Sequence, residues 1–84
     1  MERPKIKTIY NPRYSKILKR LIEARIKADI SQKELALALN INQSDISKIE
    51  HGQRKIDITE FLDWLKVTRV DINQFISELL INYE

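Results

Sequence analysis

The stretch QKELALALNINQSDISKIEH, residues 32–51, decides the fold. Its apolar side chains recur at three- and four-residue spacing in two short segments, which is typical of amphipathic helices. Only three or four residues join the two segments, and Ala36 lets the first helix approach the second closely. We therefore expect a helix-turn-helix arrangement. The side chains that face inward in it are Leu35, Leu39, Ile41, Ile46 and Ile49.

The outer face of the second helix of this pair carries short polar side chains and one cation. An amide can form two hydrogen bonds with adenine, and hydroxyl groups can bond several bases, so these residue types suit the readout of base edges. A helix-turn-helix places such a face in the major groove of DNA. The side chains of this face are Gln43, Ser44, Ser47 and Lys48.

Start and stop signals define three further helices around this pair. Pro12 suits the first position of a helix, and Asn40 and Gly52 stand where helix ends need left-handed backbone. With one glycine and two prolines in 84 residues, turns are few. The sequence thus predicts an all-α bundle of five short helices. Four of the helices begin with an N-cap residue and a partner three residues later: Ser31 with Glu34, Asn42 with Asp45, Asp57 with Glu60, and Asp71 with Gln74.

The first and fourth helices each carry an apolar stripe that predicts their buried side. The stripe of the first helix runs through Tyr14, Ile17, Leu18, Leu21, Ile22 and Ile26, with the charged Arg25 among them. The stripe of the fourth helix consists of Ile58, Phe61, Leu62, Trp64, Leu65 and Thr68.

The composition excludes several classes of function. The chain has no cysteine and one histidine, which argues against thiol catalysis, disulfides and Cys- or His-based metal sites. No apolar run approaches the ~18 residues of a membrane span, and the N-terminus lacks the apolar core of a signal peptide. We expect a protein of the cytoplasm that has no cofactor and is not an enzyme.

Charge is distributed unevenly along the chain. Residues 1–28 hold nine Lys and Arg against two acidic residues, whereas residues 57–84 hold two against six. This asymmetry suggests that one face binds a polyanion, although solvated helix faces explain it about as well. We interpret residues 1–12 as a basic arm and residues 13–84 as one domain. Arg3, Lys5 and Lys7 of the arm either contact DNA or belong to a tail without fixed structure.

The last helix is more apolar than one side of a small bundle requires. An exposed apolar patch marks an interface, and an isologous dimer is its usual partner. In such a dimer, the two copies of the helix that carries Gln43 would lie about one turn of DNA apart and would together read a palindrome. Alternatively, the helix packs fully against Trp64 in a monomer. The residues of the expected interface are Ile72, Phe75, Ile76, Leu79, Leu80 and Tyr83.

Over residues 14–80 the sequence resembles the Xre/Cro–repressor family of helix-turn-helix DNA-binding domains. The most specific part is DISKIEHGQRKID, residues 45–57. This resemblance implies a five-helix, lambda-repressor-like bundle. It also rests on Leu21, Arg25, Gln32, Leu35, Ala36 and Gln43.

The resemblance implies roles for individual residues. Gln32 would bond a DNA phosphate and support Gln43, which would read an adenine. Ser44 and Lys48 would face neighbouring base pairs, and Ser47 would contact phosphate or pack. The loop formed by Gln53, Arg54 and Lys55 would hold phosphate, unless it is only a solvated turn.

The resemblance also implies an ion pair between Arg25 and Glu50, which would tie the first helix to the third. A buried arginine is costly unless it is paired, so we prefer this interpretation to a DNA contact by Arg25. We favour a capping role for Asp45 over a base contact. Arg69 stands where the family often has glycine, which leaves the exit from the fourth helix open.

These features together predict a homodimeric, sequence-specific regulator of transcription, most simply a repressor at a palindromic operator. One alternative is an antitoxin that binds a toxin through the arm or the last helix, and a variant is the controller of a restriction–modification system. An alternative from another class is a protein–protein adaptor that keeps the fold without binding DNA.

Overall fold

The computed structural model describes residues 11–81, and this part of the chain forms five α-helices joined by short turns. The predicted all-α, five-helix architecture is confirmed. The predicted arm, residues 1–12, lies outside the described residues except for its last two. The helices are α1 (Pro12–Lys27), α2 (Gln32–Leu39), α3 (Gln43–Glu50), α4 (Ile58–Val67) and α5 (Ile72–Ile81).

Helices α2, α3 and α4 begin at the predicted caps. At α2 the Ser31 hydroxyl accepts from the Glu34 N–H at 3.0 Å, and the Glu34 carboxylate accepts from the Ser31 N–H at 2.8 Å. The start of α5 differs from the prediction. Asp71 accepts from the Asn73 N–H at 2.9 Å, and the Gln74 amide donates to Glu78 instead of returning to the cap.

Each of helices α1 to α4 is closed by a residue with left-handed backbone, one or two positions after the last helical residue. In this ending, the N–H group of the residue after the left-handed one bonds a carbonyl five residues back, which satisfies the last turn. For example, the Ile41 N–H donates to the Ala36 carbonyl at 3.0 Å, and the Val70 N–H to the Leu65 carbonyl at 2.9 Å. The exit from α4 is therefore of the same kind as the others, although a non-glycine residue makes it. The left-handed residues are Asp29, Asn40, Gly52 and Arg69, with φ from 60° to 74°.

The core lies between α1, α2, α3 and α4 and is closed by one residue of α5. Trp64 is its largest member and is completely buried, with its indole N–H donating to the Leu21 carbonyl at 2.9 Å. Phe75 meets Phe61 edge to face, with ring centroids 5.6 Å apart. The buried apolar residues are Leu18, Leu21, Leu35, Ala36, Leu39, Ile46, Ile49, Trp64, Leu65 and Phe75.

Three residues of the predicted apolar stripes are exposed instead of buried. Ile26, Ile58 and Leu62 retain 62%, 68% and 44% of their accessible surface. The predictions were wrong there because the stripes on α1 and α4 are wider than the strip of helix surface that the neighbouring helices cover. Thr68 is buried as predicted, and its hydroxyl donates to the Trp64 carbonyl at 2.8 Å.

Candidate nucleic-acid interface

The turn between α2 and α3 sets the direction of α3. Asn40 has φ 60° and ψ 42°, a left-handed conformation that asparagine tolerates better than most residues. This conformation ends α2 at Leu39, and only the three residues 40–42 separate it from the start of α3 at Gln43. Asn40 thus makes the sharp reversal between α2 and α3 without glycine.

Helix α3 has one buried side and one free side. Ile46 and Ile49 have no accessible surface, so the core fixes the rotation of the helix about its axis. The opposite side presents the four residues expected to face DNA, which we call the recognition face. Gln43, Ser44 and Lys48 are exposed, and Ser47 is half-buried.

Arg25 and Glu50 lie together at the C-terminal end of α3, each mostly buried. The guanidinium donates to both carboxylate oxygens, with Nε–Oε2 at 2.6 Å and Nη2–Oε1 at 3.1 Å. Its Nη1 donates to the Ile30 carbonyl at 2.9 Å. Because every terminal nitrogen of Arg25 has an acceptor, this side chain is committed to joining α1 to the end of α3.

Gln32 has a different partner from the expected one. Its amide nitrogen donates to Glu50 Oε1 at 2.8 Å, and within residues 11–81 no hydrogen bond joins it to Gln43. An amide nitrogen carries two hydrogens, so one remains for a phosphate. The carboxylate of Glu50 thus receives donors from both α1 and α2, a convergence that the linear spacing of these residues did not indicate.

Two contacts close the C-terminal end of α3. The ring nitrogen Nδ1 of His51 lies 2.7 Å from the Ser47 carbonyl oxygen, to which it can donate in its protonated tautomer. Gly52, with φ 74°, lets the Gln53 N–H donate to the Lys48 carbonyl at 2.8 Å. These contacts place His51 at the helix end and complete the last turn of α3 before the following turn begins.

The turn of residues 51–57 carries the three residues expected to hold phosphate, but they differ in their surroundings. Gln53 and Lys55 are exposed. The Arg54 guanidinium instead binds Glu60 with two hydrogen bonds, at 2.9 Å and 2.8 Å, and its Nε lies 3.8 Å from Asp45. Sequence reasoning missed this pair, although a capping carboxylate six residues beyond a cation was a usable signal.

The contact between Arg54 and Glu60 shifts the pKa of both groups. The hydrogen bonds from Arg54 lower the pKa of Glu60, against the opposing effect of burial. The same hydrogen bonds raise the pKa of Arg54. Both groups are therefore held in their charged forms.

Two other contacts fix the surroundings of the turn. The Tyr14 hydroxyl of α1 accepts from the Ile56 N–H at 3.1 Å. The Asp45 carboxylate accepts from the Asn42 N–H at 3.3 Å, which is the contact expected of a capping residue.

Helix α5 has an apolar edge, formed by Ile72, Ile76 and Leu80, with 39%, 37% and 65% of their surface exposed. Leu79 is half-buried beside a groove of about 340 Å³ between α1 and α5. Phe75 lies on a different side of the helix from this edge. It is 2% exposed and belongs to the core. Tyr83 lies outside the described residues.

Residues 11–81 contain no cluster of three His, Cys, Asp or Glu side chains that could hold a metal ion. None of the helices described is long and apolar enough to cross a membrane.

The chain is similar in sequence and fold to known proteins. A family model described as helix-turn-helix, HTH_3, matches residues 21–75. The chain is similar to a solved structure, an XRE-family like protein from Pseudomonas syringae pv. tomato str. DC3000, with 40% sequence identity and a TM-score of 0.82. The similarity covers 92% of this chain and 94% of that one. No curated protein matches the sequence.

Proposed function

The chain belongs to the Xre family of helix-turn-helix proteins, and on that premise we propose that it is a dimeric repressor that reads a palindromic operator. Family membership makes the chain a DNA-binding regulator of transcription. Dimerisation, the operator symmetry and the sign of regulation are the proposed parts. Repression would follow from occupancy of a promoter by the bound dimer.

The observation that carries the proposal is the arrangement of α3. Buried Ile46 and Ile49 anchor one side, and Gln43, Ser44 and Lys48 project from the other. We propose that these three read base edges in the major groove. Phosphate contacts, which supply affinity without sequence information, are assigned to Gln32, Ser47, Gln53 and Lys55.

The binding test is fluorescence anisotropy with a labelled duplex from upstream of the chain's own gene and a shuffled duplex as the control. We expect a preference of ~10³-fold or more and a steep dependence on salt. A chain that binds neither this duplex nor any selected from random DNA would instead be an adaptor, or an antitoxin that requires its toxin for binding.

The readout residue is tested by Gln43→Ala. The variant should lose preference for the operator and keep binding to shuffled DNA, because phosphate contacts remain. Gln74→Ala, which removes the same side chain from exposed surface of α5, is the matched control. Full discrimination by Gln43→Ala would remove Gln43 from the readout set.

The apolar edge of α5 supports the proposed dimer. Ile72, Ile76 and Leu80 project from one side of the helix, and their burial against a second copy is the usual fate of such a patch. Leu80→Glu should therefore sediment as a monomer. Leu37→Glu is the control, because Leu37 is 75% exposed but lies on α2. A Leu80→Glu chain that stays dimeric would place the interface elsewhere.

A further inference from the structure

The turn of residues 51–57 is tied to two helix starts by a single guanidinium. Arg54 binds Glu60 through Nη1 at 2.9 Å and Nη2 at 2.8 Å, and its Nε lies 3.8 Å from Asp45. Both carboxylates occupy the third position of their helix, Asp45 in α3 and Glu60 in α4. Arg54 therefore connects the first turn of the recognition helix to the first turn of α4.

The two carboxylates are themselves fixed. Glu60 accepts from the Asp57 N–H at 3.0 Å, and Asp45 accepts from the Asn42 N–H at 3.3 Å. The Glu60 side chain is 12% exposed, whereas Arg54 is 35% exposed. The acceptor of the guanidinium is thus more buried than the guanidinium and is also bonded to the backbone at the start of α4.

The bonds to Glu60, together with a bond from Nη1 to the Lys55 carbonyl at 3.4 Å, occupy three of the five N–H groups of Arg54, and Nε faces Asp45 at 3.8 Å. Two carboxylates therefore already balance the charge of the guanidinium and would repel a phosphate brought against it. A two-pronged phosphate contact through Nη1 and Nη2 would require Arg54 to leave Glu60, and a mostly buried carboxylate would then lose both charge-assisted hydrogen bonds from its cation. A carboxylate left unpaired near DNA would also repel phosphate. Gln53 and Lys55, on either side of Arg54, are exposed, so a phosphate contact by them would not require a buried carboxylate to lose its partner.

We propose that Arg54 is a positioning residue for DNA binding. Its two hydrogen bonds to Glu60 fix the turn that presents Gln53 and Lys55 to phosphate, and Arg54 itself makes no phosphate contact. This inference rests on the proposed DNA-binding function and reverses the role that the resemblance implied for Arg54.

The sign of the effect of Glu60→Gln separates the two roles. If Arg54 positions the turn, Glu60→Gln frees it and weakens binding about three- to tenfold, the penalty for ordering one or two side chains on binding. If Arg54 binds phosphate, the same change releases the guanidinium and removes a negative charge, so binding tightens. Glu34→Gln is the matched control, because Glu34 is the capping carboxylate of α2 and should show only the effect of charge removal.

Dissociation constants are measured by anisotropy on a labelled duplex of random sequence, because all duplexes share phosphates, over a series of KCl concentrations. Circular dichroism at the assay temperature establishes that each variant is folded. We expect Arg54→Ala, Glu60→Gln and the double variant to bind equally weakly, with the wild-type salt slope. Arg54→Lys should not restore binding, because lysine cannot make the two-pronged contact.

Three results would overturn the inference. They are tighter binding by Glu60→Gln, unchanged binding by Arg54→Ala, and a fall of about 0.9 in salt slope for Arg54→Ala with rescue by lysine. A wild-type chain that binds no duplex at any salt concentration would overturn the proposed function itself, which these variants cannot do.

Discussion

Replacement of Arg25 by methionine tests the buried ion pair most directly. The change removes three donors, two on Glu50 and one on the Ile30 carbonyl, while keeping an unbranched side chain of similar length. Among residues 11–81, Gln32 is then the one side-chain donor left to Glu50. The exposed fractions are 14% for the Arg25 side chain and 7% for that of Glu50, so water can replace few of the lost bonds.

The expected cost is a large part of the stability of the domain. Breaking a buried pair by removing one partner costs about 3–5 kcal/mol, and the residual exposure of Arg25 places this variant near about 3 kcal/mol. Domains of this length have free energies of unfolding of roughly 4–13 kcal/mol, from about 0.05–0.15 kcal/mol per residue. The double variant Arg25→Met/Glu50→Leu should recover most of the loss, because no charge is left buried.

Urea denaturation followed by Trp64 fluorescence measures the effect, since Trp64 is the one tryptophan and is completely buried. Arg20→Met is the control, because the Arg20–Glu78 pair is more exposed and should contribute at most about 1 kcal/mol. A loss below about 1 kcal/mol for Arg25→Met, or a double variant no more stable than the single one, would refute the reasoning.

Two further predictions concern the helix ends. Arg69→Gly should raise the free energy of unfolding by about 0.5–1 kcal/mol, because glycine adopts φ 61° without the steric cost that arginine meets there; a lower urea midpoint would contradict this. Acidification should remove stability that Glu60 contributes. Its pKa is lowered in the folded state, so the contribution is full above the unfolded pKa and is lost as pH falls through the folded pKa. Glu60→Gln should therefore flatten the acid limb of a stability-against-pH curve, and parallel curves for the two proteins would contradict the assignment.

Sequence signals were sufficient for the helices because those signals are local. A Ser31–Glu34 capping box acts within one turn, and Asn40 and Gly52 end helices through their own backbone preferences. The starts of α2 to α4, the ends of α2 and α3 and the outward position of Gln43 could therefore be predicted from short windows.

The misjudged residues depend on contacts across the fold. Ile58 and Leu62 have the spacing of buried residues, but burial depends on how much of α4 its neighbours cover. The Gln32 amide donates to Glu50, which lies 18 residues later in the chain, so no local pattern reveals that hydrogen bond. The charge of Arg54 was visible in the sequence, but its two hydrogen bonds to Glu60 depend on a geometry that was not.

The left-handed endings of α1 to α4 have a consequence for how fast the chain folds. Each reversal is completed by hydrogen bonds that span only three to five residues, so little loop-closure entropy is lost when one helix turns back toward the next. Consecutive helices then meet early, and the contact order stays low. Helical proteins of this kind fold in about microseconds to milliseconds. Synthesis on the ribosome would therefore be the slower step in supplying folded protein.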